Sequence, residues 1–212
     1  MKRKEVLGAA QDERMRLVGD LRSLDWGQWD APTLCEGWTV RDVVGHLIRL
    51  DAYTHRIDRF LLSVVRSRGL NRFMSKDAVE WAAGRSPDEL IATLATARYE
   101  TRIVERYNIW PVFPLVELVI HGQDIRRPLG MDGRLSLEVL LEVADHLRRS
   151  YLRPWGEGTK VKGVRFVASD ADWSMGKGPE VRGPLEAIVM TLAGRPSAVA
   201  ELSGEGQDLL LS

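Results

Sequence analysis

The stretch that decides the fold is FPLVELVIHGQDIRR, residues 113–127. From Phe113 to Ile120 it is apolar except for Glu117, and His121 follows one helical turn after that glutamate. Pro111 and Pro114 punctuate the start, and Arg126, Arg127, Pro128 and Gly130 close the segment with cations, a helix breaker and a C-terminal glycine. The segment reads as a helix packed among other helices, where little water reaches it. Its carboxylate is then the puzzle, because a buried Glu117 costs several kcal/mol unless something pairs with it.

The neighbouring helices are legible too. Residues 5–25, 39–67, 86–107, 114–127 and 136–153 all carry helical patterning, and two starts are clearly marked. Thr39-Val-Arg-Asp42 is a capping box, and Ser86-Pro87-Asp88-Glu89 joins a cap to a first-turn proline and to acids that suit the helix dipole. Long helices with short connections predict an antiparallel bundle. Near residue 155 the texture changes. GVRFVAS alternates like a strand, DADWSMGKGPEVRGP is dense in turn residues, PLEAIVMTLAGR reads as an amphipathic helix, and QDLLLS as a closing strand. The expected fold is mainly α: a bundle over residues 1–155 and a small α+β domain over 156–212. The second is near the lower size limit for folding alone, so it is expected to pack on the bundle, with Trp155, Trp173 and Phe166 at the seam.

Composition narrows the function. The 212 residues contain 30 basic and 30 acidic side chains, a balance that gives no general electrostatic reason to expect nucleic acid or an anionic membrane as partner. The apolar runs are too short to span a bilayer, the N-terminus turns polar before any signal-type core develops, and Cys35 is the single cysteine. These features predict a cytoplasmic protein without an intrachain disulfide. Cys35, in LCEGWTV, reads as a small packing residue. A redox role would need the nearby helix N-terminus to lower its pKa.

Four histidines are present, and each has an acid four residues earlier: Asp42 before His46, Asp51 before His55, Glu117 before His121 and Glu142 before His146. Spacing alone therefore selects none of them. Glu142 and His146 fall on the polar side of their helix, and His55 lies in the polar run THRIDR on the side opposite His46. His46 instead borders an apolar stripe of Val43, Leu47, Leu50, Ile57 and Leu61. Glu117, His121 and Asp124 share an arc of roughly 60° on their helix and project together. Two readings stand at this point. His46, Glu117 and His121 converge on a metal, or Glu117 and His121 form a buried ion pair and His46 is an ordinary core histidine. Asp42 is explained by capping, and Asp124 either supports His121 or ends the helix.

LCEGWTVRDVVGHL at 34–47, VELVIHGQDIRRPLG at 116–130 and the later ASDADWSMGKGPEVRGPLEAIVMTLAGR together resemble the mycothiol-dependent maleylpyruvate isomerase family, a branch of the DinB-like metal-binding bundles. The resemblance covers nearly the whole chain and implies that the bundle is an antiparallel four-helix one. It implies that His46, Glu117 and His121 bind a divalent metal, typically zinc, and that the dication compensates Glu117. Three protein ligands leave a coordination position open, which implies chemistry or exogenous-ligand binding. In that family the incoming ligand is mycothiol, a low-molecular-weight thiol that a metal activates without any protein cysteine. Cis-trans isomerisation, thiol S-transfer and hydrolysis all remain open, as does non-catalytic binding of a thiol or small acid, and the metal could be nickel, cobalt or iron. Trp38 is expected to fix the helix start and to border the pocket. Arg126 is a candidate for gripping the thiol cofactor or an anionic substrate, and Arg182, in the GPEVRGP turn, is the candidate catalytic arginine.

Overall fold

The computed structural model describes residues 1–55, 70–97, 112–151 and 163–211. These form helices α1 (Arg3–Arg22), α2 (Val40–His55), α3 (Leu70–Ala82), α4 (Pro87–Thr96), α5 (Phe113–Arg126) and α6 (Leu137–Tyr151), then strands β1 (Arg165–Ala168), β2 (Ser174–Gly176) and β3 (Glu180–Gly183), and helices α7 (Leu185–Leu192) and α8 (Asp208–Leu211). The mainly helical class and the small α+β portion are as expected. No helix among the described residues is long and apolar enough to cross a membrane.

The chain divides into two compact units, Lys2–Gly133 and Arg134–Ser212 with Met1. The change of texture near 155 falls in residues 152–162, outside the described residues. The spatial division comes earlier because α6, counted with the bundle in the sequence reading, packs against α7.

In the first unit α1 packs on α5, α5 on α2, α2 on α4 and α4 on α1, which closes a ring of four helices. The local causes are those the sequence displays. Thr39 donates its backbone N–H and its hydroxyl to Asp42 Oδ2 at 2.9 and 2.7 Å, and the Ser86 N–H donates to Glu89 Oε2 at 2.8 Å, so both capping boxes form. Those bonds from Ser86 also hold Glu89 below the usual carboxylate range. On α1, Val6, Ala10, Leu17, Val18 and Leu21 make the buried stripe. Helix α4 ends at Thr96, with Ala97 extended, rather than running to 107; the Thr93 and Thr96 hydroxyls bond back to the Glu89 and Ala92 carbonyls in its last turns. Residues 56–67 and 98–107 of the expected helices lie outside the described residues.

Helix α3 escaped the sequence reading. It docks on α2 through small residues, with Gly45 facing Ala78 and Ala82 so closely that a Cβ on Gly45 would lie 2.8 Å from the Ala82 Cβ. Arg49 on α2 and Asp77 on α3 add an ion pair at 2.6 Å. A contact built from glycine and alanine leaves no stripe of large apolar residues to recognise.

In the second unit the sheet order is β2-β1-β3, with β1 antiparallel to β2 and parallel to β3, and Phe166 opposite both Met175 and Val181. Two strands thus lie inside the segment that reads as turns. Helix α7 is almost wholly buried rather than amphipathic, and it packs on both α6 and β1. Phe166 is fully buried, and Trp173 is nearly so and donates its indole N–H to Asp145 on α6 at 3.1 Å. These aromatics tie the strands to α6 within one unit, and Trp155 lies outside the described residues. QDLLLS is a correction: Asp208–Leu211 is a single helical turn, not a strand. Leucine is a good helix former, and Leu209 and Leu211 are exposed there, so no sheet edge pairs with them.

Candidate metal centre

Helix α5 is buried around nearly its whole circumference, from Pro114 to Arg126. Glu117 is the exception that matters, since its side chain keeps 17 % exposure at the face where α5 meets α2. His46 Nε2 lies 3.1 Å from Glu117 Oε2, and His121 Nε2 lies 3.4 Å from the same oxygen. The structure therefore brings together the three residues expected from sequence, with ligand-type atoms all within 4.8 Å of one another. Their spacing suits an ion. A tetrahedral centre with bonds of about 2.0–2.1 Å to nitrogen and oxygen separates its donors by about 3.3–3.4 Å, between the two observed distances or at the longer one.

The other nitrogen of His121 is also engaged. His121 Nδ1 is 2.9 Å from Oδ2 of the fully buried Asp124, the arrangement in which a carboxylate fixes an imidazole and leaves Nε2 for a metal. Trp38 completes the wall, its ring centroid 5.2 Å from that of His46 and 6.2 Å from that of His121, nearly parallel to the latter. The indole arrives on a self-bonded loop: Thr33 donates its backbone N–H and its hydroxyl to the Trp38 carbonyl, and Trp38 N–H bonds to the Cys35 carbonyl.

Electrostatically the carboxylates and imidazoles of the cluster hold one another in their charged forms. Burial alone would push Glu117 up, but hydrogen bonds from His121 and His46 and their charge outweigh it and hold the carboxyl far below its usual range. Burial would push His121 down, yet its bonds to Asp124, Cys35 and Glu117, with the charge on Glu117, raise it well above the ordinary histidine value. With both imidazoles neutral, Glu117 and Asp124 carry two negative charges. One divalent cation would balance them, so the donor set fits the expected group in charge as well as in spacing.

The remaining candidates fall elsewhere. Arg126 is not presented to the cluster. It is fully buried on the side of α5 that faces α1, bonded to Glu13 at 2.5 Å and to Asp20 at 2.7 Å, so the expected grip on a cofactor has no free guanidinium behind it. Arg182 stands on β3 of the second unit, half-exposed and paired with Glu180 at 2.7 Å. His146 is half-buried on α6, and the side chain of His55 lies outside the described residues. Sequence reasoning underrated Cys35, whose Sγ is 3.1 Å from Asp124 Oδ2 and 3.6 Å from His121 Nδ1. A loop contact across 86 residues leaves no periodic signal to find.

Fold and site together define a helical-bundle protein with a histidine–carboxylate cluster between two of its helices. Residues 10–108 match the family described as the mycothiol maleylpyruvate isomerase N-terminal domain, a match that takes in His46 and stops before Glu117. A solved structure of the mycothiol-dependent maleylpyruvate isomerase superposes with a TM-score of 0.63 at 14% identity, covering 98% of this chain and 94% of that one. A mutant of that enzyme with one histidine replaced by alanine gives the same TM-score and coverage at 16% identity. These structures share the fold of this chain over nearly its whole length. No curated protein matches the sequence.

Proposed function

We propose that the protein is a metal-dependent enzyme that uses a low-molecular-weight thiol such as mycothiol to isomerise a small electrophile, or joins that thiol to it through sulfur. The observation that carries this reading is the convergence of His46, Glu117 and His121. The family of residues 10–108 and the mycothiol dependence of the structurally similar isomerase support the choice of thiol. His46, Glu117 and His121 would hold the ion, zinc by donor type, and three ligands leave a position for an exogenous thiol. When bound, such an ion lowers the pKa of a coordinated thiol so that it is a thiolate at neutral pH. Trp38 shields both imidazoles on one side. We place the protein in the cytoplasm, where reduced thiols persist.

The deciding experiment is elemental analysis of protein purified without chelator or affinity-tag metal, beside His46→Ala and Glu117→Ala. About one equivalent of zinc, lost in both variants, supports the centre. Turnover of mycothiol with a panel of electrophiles, conjugated cis-diacids included, then separates an enzyme from a binding protein. Absence of metal even after zinc is offered returns Glu117 and His121 to a buried ion pair and removes the enzyme reading.

A further inference from the structure

A second group of ligand-type atoms lies behind the cluster: Cys35 Sγ, His121 Nδ1 and Asp124 Oδ2. Its spacing is that of hydrogen bonds rather than coordination. The separations from Asp124 Oδ2 are 2.9 Å to the imidazole and 3.1 Å to the thiol. A tetrahedral ion with nitrogen, oxygen and sulfur donors would open them to about 3.3–3.6 Å. One carboxylate oxygen therefore accepts from an imidazole N–H and from a thiol at once.

We propose that Cys35 is a positioning residue for the metal centre, an inference that rests on the metal reading above. Its S–H pins Asp124 Oδ2, Asp124 holds the Nδ1–H of His121, and the Nε2 of His121 is thereby aimed at Glu117 and His46. The geometry around the thiol serves that role. Leu34 N–H bonds to the Asp124 carbonyl at 3.1 Å, so adjacent residues of one loop grip both the backbone and the carboxylate of the same residue. Thr33 Oγ1 accepts from Cys35 N–H at 3.2 Å and donates to the Trp38 carbonyl at 3.0 Å, which fixes the backbone that carries the thiol. Cys35 is only half-buried, so filling space does not account for a donor aimed at the one buried carboxylate beside His121.

The test compares wild type, Cys35→Ser, which keeps an acidic hydrogen for Asp124, and Cys35→Ala, which does not. Zinc affinity is measured by competition with a chromophoric chelator, melting is followed on the metal-free proteins, and the His121 ring N–H is followed by nitrogen-15 NMR without metal. Cys35→Ala is expected to weaken zinc about tenfold, in the range for lost outer-shell partners, with Cys35→Ser closer to wild type and both variants melting alike. The His121 N–H resonance should shift in Cys35→Ala and be largely restored in Cys35→Ser. Equal zinc affinity in all three with an unmoved resonance overturns the proposal, as does a loss shared equally by serine and alanine. If wild type binds no zinc yet the resonance still moves, the metal reading fails while the positioning of His121 by Cys35 stands.

Discussion

Towards α1, helix α5 presents Arg126, held between Glu13 and Asp20; towards α2 it presents Glu117 and His121, which meet His46. Both groups bury charge on one helix within about ten residues, yet they are balanced by different means. On the α1 side guanidinium groups meet carboxylates, with Arg16 also 3.5 Å from Glu13, so two basic side chains face two acidic ones. On the α2 side the partners of the carboxylates are imidazoles, whose charge depends on pH and which can surrender a proton to a metal. The first arrangement holds two helices in register. The second is stable enough to form and incomplete enough to take a ligand.

The comparison breaks if the two sides respond alike to mutation. The largest effect is expected from Glu117→Gln, which keeps the shape and removes the charge. Bound zinc should fall from about one equivalent to none by elemental analysis, and the metal-free protein should lose the stability that the His121 and His46 bonds to the carboxylate supply. Arg126→Met should spare the metal. Stranding Glu13 and Asp20 without a cation costs about 3–5 kcal/mol, read by urea denaturation, and zinc stoichiometry in the folded fraction should stay at the wild-type value.

A pH series sharpens the contrast. His121 is raised in the folded metal-free protein, so its contribution to stability is complete below the unfolded histidine value near about 6.5 and is lost as pH climbs through the raised value. Glu117 is lowered, so its contribution is present above about 4.3 and is lost only as pH falls through the depressed value. Metal binding must run against the first of these, because zinc needs His121 unprotonated. Calorimetry at neutral pH in buffers of different ionisation enthalpy should show about one proton released per zinc, and affinity should increase from pH 6 to 8 by up to about tenfold per unit. Arg126→Met should leave that proton release unchanged.

How much of this was legible follows the range of the interactions. The capping boxes, the α5 helix and the shared face of Glu117 and His121 are local patterns, and they lie where the sequence puts them. His46 stands out because it borders an apolar stripe, although acid-x-x-x-His spacing marks all four histidines equally. What stayed hidden depends on close approach or distant contact. Helix α3 docks by alanine against glycine, the parallel pairing of β1 with β3 joins strands across a turn-rich segment, and α6 shows no sign in its own pattern that it belongs beside α7. Arg126 was misplaced for a related reason. A cation in the last turn of a helix suits the dipole wherever it points, and only the position of α1 reveals that its guanidinium is already held.

The smallest expected effect is also the most selective, because Gly122 follows His121 directly yet faces Arg126 and Glu13, about 100° round α5. A Cβ there would lie 2.7 Å from Arg126 Nη1 and 3.5 Å from Glu13 Oε1, so the bare backbone is what lets the guanidinium fold back along its own helix to reach α1. Gly122→Ala gains about 1 kcal/mol of helix propensity and displaces a charge-assisted bond worth about 1.5–3 kcal/mol. The net loss should be about 1 kcal/mol in urea denaturation, with zinc affinity within about a factor of two of wild type. An affinity that drops with stability would mean that the α1 ion pairs set the rotation of α5 and hence the aim of His121. In that event the two sides of the helix are one mechanical unit, and Arg126 supports the metal site from behind rather than only the fold.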